Sequence, residues 1–389
     1  MTLGHHEACR LRRSWPLETV ALWCAVTLAA CFPAVLGGQS PTLERLEPIG
    51  LPETLALTAD LRWLDEDQLR LGVEEGGVYS WRIGVDEAVL EASLAGNDGY
   101  HRGFESYSRI GGSSSGSVAF AGGVFGVYLK SGDRFDTLKA IEIVGDVDRR
   151  GGRTAVVGLS RNEDGGWGDH ISWLFEDGKP EPRNLLPTRD GGETMGYCWH
   201  AEVSVIRFIS DERILVVPGL EPGVFVYDRS GELVESLATD TFTADAGCGL
   251  EPEKGFMLGD AAFTVGWLAR RRVIDEALAD GSGNIYFFVR HVPGGPGSII
   301  MEPPESGPDS AYRATNPPLG RVCWDLVQTR AEELTATSTL PCAIESEFAD
   351  TRLRADLRGE RAVILLTGFP GALARPAELF KALIRPPES

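Results

Sequence analysis

The sequence predicts an all-β chain folded as a β-propeller of six four-stranded blades. Three observations lead there. Short strand-forming runs, separated by Asp, Gly and Ser turns, follow one another at spacings of about ten residues, as in a sandwich, barrel or propeller. Related hairpins return at longer, irregular intervals of roughly 40–70 residues, the length of one four-stranded sheet with variable loops. Runs such as Arg213–Val217 and Ala362–Leu366 are continuously apolar where a half-exposed strand would alternate, which is expected when both faces of a sheet are covered. Six units over roughly 340 residues fit six blades. Seven blades, or two β-domains, are the alternatives the same strands allow.

Residues 1–38 read as a secretory signal. Arg10, Arg12 and Arg13 precede an apolar stretch from Thr19 to Ala30, too short and too poorly flanked for a spanning helix. Leu28-Ala29-Ala30-Cys31 resembles the lipobox of bacterial lipoproteins, a resemblance that implies lipidation of Cys31; cleavage near Gly38 without a lipid is the alternative. Export would place the chain in the periplasm, on the outer membrane or outside the cell. Any membrane contact would be through the lipid alone. Residues 39–54 then read as a Pro-containing linker, and residues 55–389 as one propeller domain.

The blades follow in order. The first has runs at Asp60–Leu64, Gln68–Val73, Val78–Ile83 and Ala88–Ala92. The second has Ser117–Phe120 and Val124–Leu129, with Ile141–Val147 closing it or opening the third. Gly111 to Gly116 reads as a flexible turn; it lacks the Lys of a phosphate-binding loop. The third has Thr154–Leu159 and His170–Phe175, and the fourth Val203–Ile209, Arg213–Val217 and a hairpin from Phe225 to Leu237. The fifth has Val273–Leu278, Asn284–Val289, a Pro/Gly-rich excursion from Pro293 to Pro318, and Arg321–Gln328. The sixth has Arg352–Leu357 and Ala362–Thr367, with Ala377–Leu383 as a short turn or a last strand. Ring closure needs the end blades to meet, either through a strand near Leu51–Leu57 or with a final blade made wholly by the C-terminus.

The hairpin FVYDRSGELVESL is the clearest unit. Val224–Tyr227 is β-branched and aromatic. Asp228 to Gly231 is a turn in which Asp bonds the backbone and Gly tolerates positive φ. Its strand, Asp-x-x-Gly, strand pattern resembles the outer hairpin of NHL-like and TolB-like bacterial six-bladed propellers. The resemblance is specific in this unit only, and it implies an exported propeller in which Asp228 and Gly231 are structural.

Composition narrows the function classes. The net charge is −20, and −21 without residues 1–38, which repels phosphate backbones and argues against a nucleic-acid partner. A signal would remove Cys9 and Cys24, leaving Cys198, Cys248, Cys323 and Cys342 besides Cys31. Four cysteines in an exported chain suggest two disulfides with three possible pairings; proximity in sequence favours Cys198 with Cys248 and Cys323 with Cys342. No C-x-x-C pair suggests zinc. Gly112-Ser113-Ser114-Ser115-Gly116 has the letters G-x-S-x-G but reads as a flexible turn with no following helix, so no serine-hydrolase elbow is indicated.

Candidate ligand-binding residues sit where one blade leads into the next. Tyr100-His101 and Trp199-His200 each pair an aromatic residue with an imidazole, and Glu202 and Glu251 add carboxylates. A disulfide between Cys198 and Cys248 would draw these loops together at one channel mouth. Imidazole with carboxylates could hold Ca²⁺ or another divalent metal, or act as general base. His170 and His291 read as strand histidines, Asp65-Glu66-Asp67 as a solvated turn, and Arg270-Arg271-Arg272 as a loop or partner contact. The sequence thus leads to a monomeric binding or scaffolding propeller for an envelope protein or small ligand, with no cofactor. A lactonase or hydrolase with a metal on His200, Glu202 and Glu251 is the alternative, and no catalytic residue is assigned.

Overall fold

A computed structural model describes residues 40–73, 77–93, 109–112, 117–121, 127–131, 134–139, 143–161, 167–179, 181–185, 204–218, 223–237, 266, 269–300, 318–330, 334, 336–368 and 375–386. After β1 (Thr42–Ile49), five four-stranded antiparallel sheets are each built from four consecutive strands. The first holds β2 (Thr58–Trp63), β3 (Gln68–Val73), β4 (Gly77–Arg82) and β5 (Ala88–Ser93). The second holds β6 (Arg109–Gly111), β7 (Ser117–Ala121), β8 (Val127–Ser131) and β9 (Arg134–Lys139). The third holds β10 (Ile143–Arg150), β11 (Arg153–Arg161), β12 (Trp167–Glu176) and β13 (Arg183–Asn184). The fourth holds β14 (Val205–Phe208), β15 (Arg213–Val217), β16 (Val224–Asp228) and β17 (Leu233–Leu237). The fifth holds β18 (Val273–Ala279), β19 (Asn284–His291), β20 (Leu319–Arg330) and β21 (Ala336–Phe348). A sixth four-stranded sheet is composite: β22 (Thr351–Arg358), β23 (Arg361–Gly368) and β24 (Glu378–Arg385) are joined at the outer edge by β1.

The first strands of successive sheets lie side by side. β2 touches β6, β6 touches β10, β10 touches β14, β14 touches β18, β18 touches β22, and β22 returns to β2. The sheets are therefore a β-propeller, and the ring leaves no division into two β-domains. Apolar side chains fill the layers between sheets. Leu215, Val217 and Val226 meet Ile285, Phe287 and Val289, and Leu61, Leu71 and Trp81 meet Val363 and Leu365. This two-sided burial is why the runs at Arg213–Val217 and Ala362–Leu366 do not alternate.

Closure differs from both expected routes. Leu51–Leu57 contributes no strand; Glu53–Leu55 is a 3₁₀ turn with Leu55 fully buried. Thr42–Ile49, read as linker, pairs antiparallel with Glu378–Arg385 from Thr42 opposite Arg385 to Ile49 opposite Leu379. An outermost strand buries only part of one face, and β1 is mostly exposed, so its charged sequence carries no strand period. Pro48 is tolerated there because an edge strand can lack an N–H. Ala377–Leu383 is accordingly strand, as β24, and not a turn.

Ile143–Arg150 opens the third sheet, and β6, missed in the sequence, opens the second. Gly111 ends β6, and the structure corrects its reading as part of a flexible turn. A Cβ there would lie 2.6 Å from the Cα of Asp148 on β10, so the glycine permits close approach of two innermost strands.

The turn after β16 behaves as read. Asp228 Oδ1 accepts the N–H groups of Ser230 (2.8 Å) and Glu232 (3.0 Å), and Gly231 has φ 83°. The turn between β18 and β19 repeats this chemistry: Asp280 Oδ1 accepts Ser282 N–H (2.8 Å) and Asn284 N–H (2.9 Å), with Gly283 at φ 85°. No helix among the described residues is long and apolar enough to cross a membrane.

Candidate functional site

Charged side chains on the innermost strands are deeply buried, and most are committed. Asp60, on β2, accepts its neighbour Leu61 N–H at 2.9 Å and Ile110 N–H of β6 at 3.0 Å. Asp146, on β10, does the same with Val147 (2.9 Å) and Ile206 of β14 (3.0 Å). Asp148 bonds Arg149 and Phe208, and Asp356 bonds Leu357 and Trp63 of β2. Asp275 accepts Leu353 N–H of β22 at 2.8 Å. An ionised carboxylate has acceptor sites enough to hold two strands at once, so these aspartates tie β2 to β6, β10 to β14, β18 to β22 and β22 to β2.

The arginines link the carboxylates into a chain of alternating charge. Arg62 pairs with Asp60 at 3.1 Å and lies 3.9 Å from Asp146. Arg207 bonds Asp146 and, at 2.6 Å, Glu276. Arg354 lies 3.7 Å from Glu276, and Arg352 pairs with Asp275 at 2.6 Å. Burial pushes Glu276 up to about 7 despite Arg207, and raises Asp146 and Asp356. Burial works against the Arg207 cation, yet Asp146 and Glu276 more than offset it and raise its pKa.

A cavity of about 460 Å³ opens where five innermost strands end. Its wall carries Arg62, Arg149, Arg150, Arg207 and Arg358 against two acids, Asp148 and Asp356. Trp63, Phe208, Leu278 and Leu357 supply apolar surface. Arg149, Arg150 and Arg358 reach turn carboxylates: Asp177 at 2.7 Å, Asp211 at 2.6 Å and Asp65 at 3.3 Å. Asp65 is thus an ion-pair partner within its solvated turn. Arg62 differs: its side chain is 4% exposed, and its Nε and Nη2 make no hydrogen bond. The buried indole N–H of Trp63 also makes none.

Tyr100, His101, Trp199, His200, Glu202 and Glu251 lie outside the described residues, as do Cys31, Cys198 and Cys248. The cavity lies where the innermost strands finish. Cys323 and Cys342 form a disulfide between β20 and β21. Beside it, His291 Nε2 lies 3.0 Å from Asp325 Oδ1, which accepts Cys342 N–H at 2.8 Å. Burial opposes ionisation of Asp325, but His291, the Cys342 N–H and Arg272 together bring it down to about 2. Among the described residues, the one grouping with metal-ligand spacing is His291, Cys323 and Cys342; its sulfurs are bonded to each other and offer no thiolate. His291 is a strand histidine with a carboxylate partner, and His170 lies in β12 opposite Leu159. Arg272 precedes β18 and pairs with Asp325.

No protein-family profile matches the chain, and no curated protein is similar to it. Among solved structures it is similar to a member of the DUF4221 family from Bacteroides vulgatus, with 9% identity and a TM-score of 0.48, covering 90% of this chain and 98% of that one. A streptogramin B lyase follows at 10% identity and TM-score 0.43, covering 88% and 98%. The WD40 β-propeller domain of Doa1 has 9% identity and TM-score 0.41, covering 87% and 97%. Likeness at this level carries no argument, and the fold rests on the ring of strands.

The cavity residues were within reach of the sequence. Asp60-Leu61-Arg62, Asp146-Val147-Asp148 and Arg352-Leu353-Arg354-Ala355-Asp356 place charges at every second position of otherwise apolar runs. That is the mark of a strand whose inward face is polar.

Proposed function

We propose that this protein is an exported six-bladed propeller that works as a binding module, with its ligand seated in the cavity at the ends of the innermost strands. The observation that carries this reading is the cavity itself. Its wall comes from the ends of five strands; aspartates tie β10 to β14, β18 to β22 and β22 to β2, and the Arg207–Glu276 pair ties β14 to β18, so its polar groups are preorganised. Its volume falls in the range of small-ligand sites. The test uses residues 39–389 purified without the leader. Melting curves against a library of neutral and charged small molecules should return stabilising ligands. Ala279→Trp, at the cavity wall, should abolish their effect. A library without hits, or hits indifferent to Ala279→Trp, would reject the cavity as the binding site.

Export and lipidation rest on residues 1–38 and Cys31. Expression of the full chain in a bacterial host, with fractionation and fatty-acid labelling, should give an envelope protein that loses its label in Cys31→Ala. Cytoplasmic retention would overturn export, and equal labelling of both proteins would overturn the anchor.

A further inference from the structure

Resting on the reading of this cavity as a ligand site, we propose that its ligand carries an oxyanion, a carboxylate or a phosphate, bound by the guanidinium of Arg62. The cavity has donors in excess of acceptors. Asp148 and Asp356 each spend their oxygens on two backbone N–H groups. Arg62 Nε and Nη2 and the Trp63 indole N–H stand buried without an acceptor. A buried donor left unpaired is costly, and a ligand oxygen that pairs with it recovers that cost. Guanidinium offers two parallel N–H groups, a geometry that carboxylate and phosphate both match.

Two neighbours can assist. Arg150 and Arg358 pair with exposed acids and are themselves 47% and 44% exposed. Such pairs contribute little, so either arginine can turn to a ligand at small cost. The protein as a whole, at −20, offers anions no general attraction. Anion binding would therefore report a particular site. Phe208 and Leu278, largely buried in the wall, would receive an apolar body attached to the anion.

The test compares phenyl phosphate, phenylacetate and the neutral 2-phenylethanol on residues 39–389, with chloride holding ionic strength constant. Calorimetry should show one site for at least one anion, with the neutral compound at least tenfold weaker. The arginine Nε–H resonance of Arg62 should shift on anion addition. Arg62→Gln should weaken the anion at least tenfold, and Arg62→Lys should restore part of it. Should Arg62→Gln fail to fold, Arg358→Gln, at the exposed rim, should weaken binding about threefold in a protein of normal melting temperature. Which anion binds tells phosphate from carboxylate. Equal binding of anion and neutral compound in the cavity, or anion binding that leaves Arg62 unmoved, overturns the oxyanion while the cavity stands. If no compound perturbs any cavity resonance, both readings fall.

Discussion

Asp146 on β10 holds the backbone N–H of Ile206 on β14 at 3.0 Å with one oxygen, and with the other the N–H of Val147 on its own strand at 2.9 Å. Asp146 is fully buried and also faces Arg207 and Arg62. Asp146→Asn keeps the shape but removes the charge that both guanidiniums face. The expected loss is about 3–5 kcal/mol, read by urea unfolding. Asp356→Asn, which also bridges two N–H groups but is less buried, should lose about 1–2 kcal/mol. Equal, small losses in both would show that the charge network contributes nothing beyond the hydrogen bonds.

Gly111→Ala should destabilise by about 2 kcal/mol or more, because its Cβ meets backbone atoms of Asp148 and Arg149 within 2.9 Å. Gly281→Ala is the control: nothing lies within 4 Å of its Cβ, so its effect should stay within about 0.5 kcal/mol. The two midpoints compared in one denaturant series decide the matter.

Deleting residues 40–50 strips β1 from the last sheet and bares the edge of β24, with Leu379 and Ile384 losing their partners Ile49 and Leu43. Bare edges pair with other chains. Light scattering should show association that rises with concentration, and melting should fall by about 5 °C or more. A monomer with unchanged melting would mean that β1 is dispensable.

Stability should depend on pH through Glu276. Its pKa rises from 4.5 when unfolded to about 7 when folded, so the folded state holds the extra proton. Stability is then full below about pH 4.5 and declines as pH climbs towards 7, by up to about 1.4 kcal/mol per unit. Asp325 acts with the opposite sign: lowered from 3.8 to about 2, it stabilises above 3.8 and loses that contribution as pH falls towards 2. Unfolding measured from pH 3 to 8 should peak near pH 4–5, and Glu276→Gln should flatten the decline above the peak. A decline unchanged in that variant would assign it to other groups.

The sequence displayed most of the strands whose two faces are covered, the three-residue β6 aside. Arg213–Val217 and Gln68–Val73 appear in the structure with the bounds read from their residues. It concealed two outermost strands, although it displayed the exposed β5 and β17 beside clear turns. Thr42–Ile49 and Ala336–Phe348 are outermost, and the second is further broken around Pro341 and Cys342, where the register shifts and Cys342 adopts φ 44°. The DRSGE turn also misleads if used to mark a place in a blade. Asp280-Gly281-Ser282-Gly283-Asn284 makes the same bonds between a first and second strand, where Asp228 makes them between a third and fourth. The cavity is not announced by aromatic and histidine loops, because its wall is made by charges inside and at the ends of strands. A buried arginine such as Arg62 looks like an exposed one until its surroundings are known.

The pairing of Thr42–Ile49 with Glu378–Arg385 also orders events in time. β1 is made before the other strands and finds its partner only when all of them have been synthesised. Until then the last sheet lacks two of its strands and the ring stays unlocked. A contact joining such distant parts of the chain forms late, because the loop it closes must first be gathered. The ring is thereby kept open while its strands are being made, and the pairing of its first strand with its last closes it.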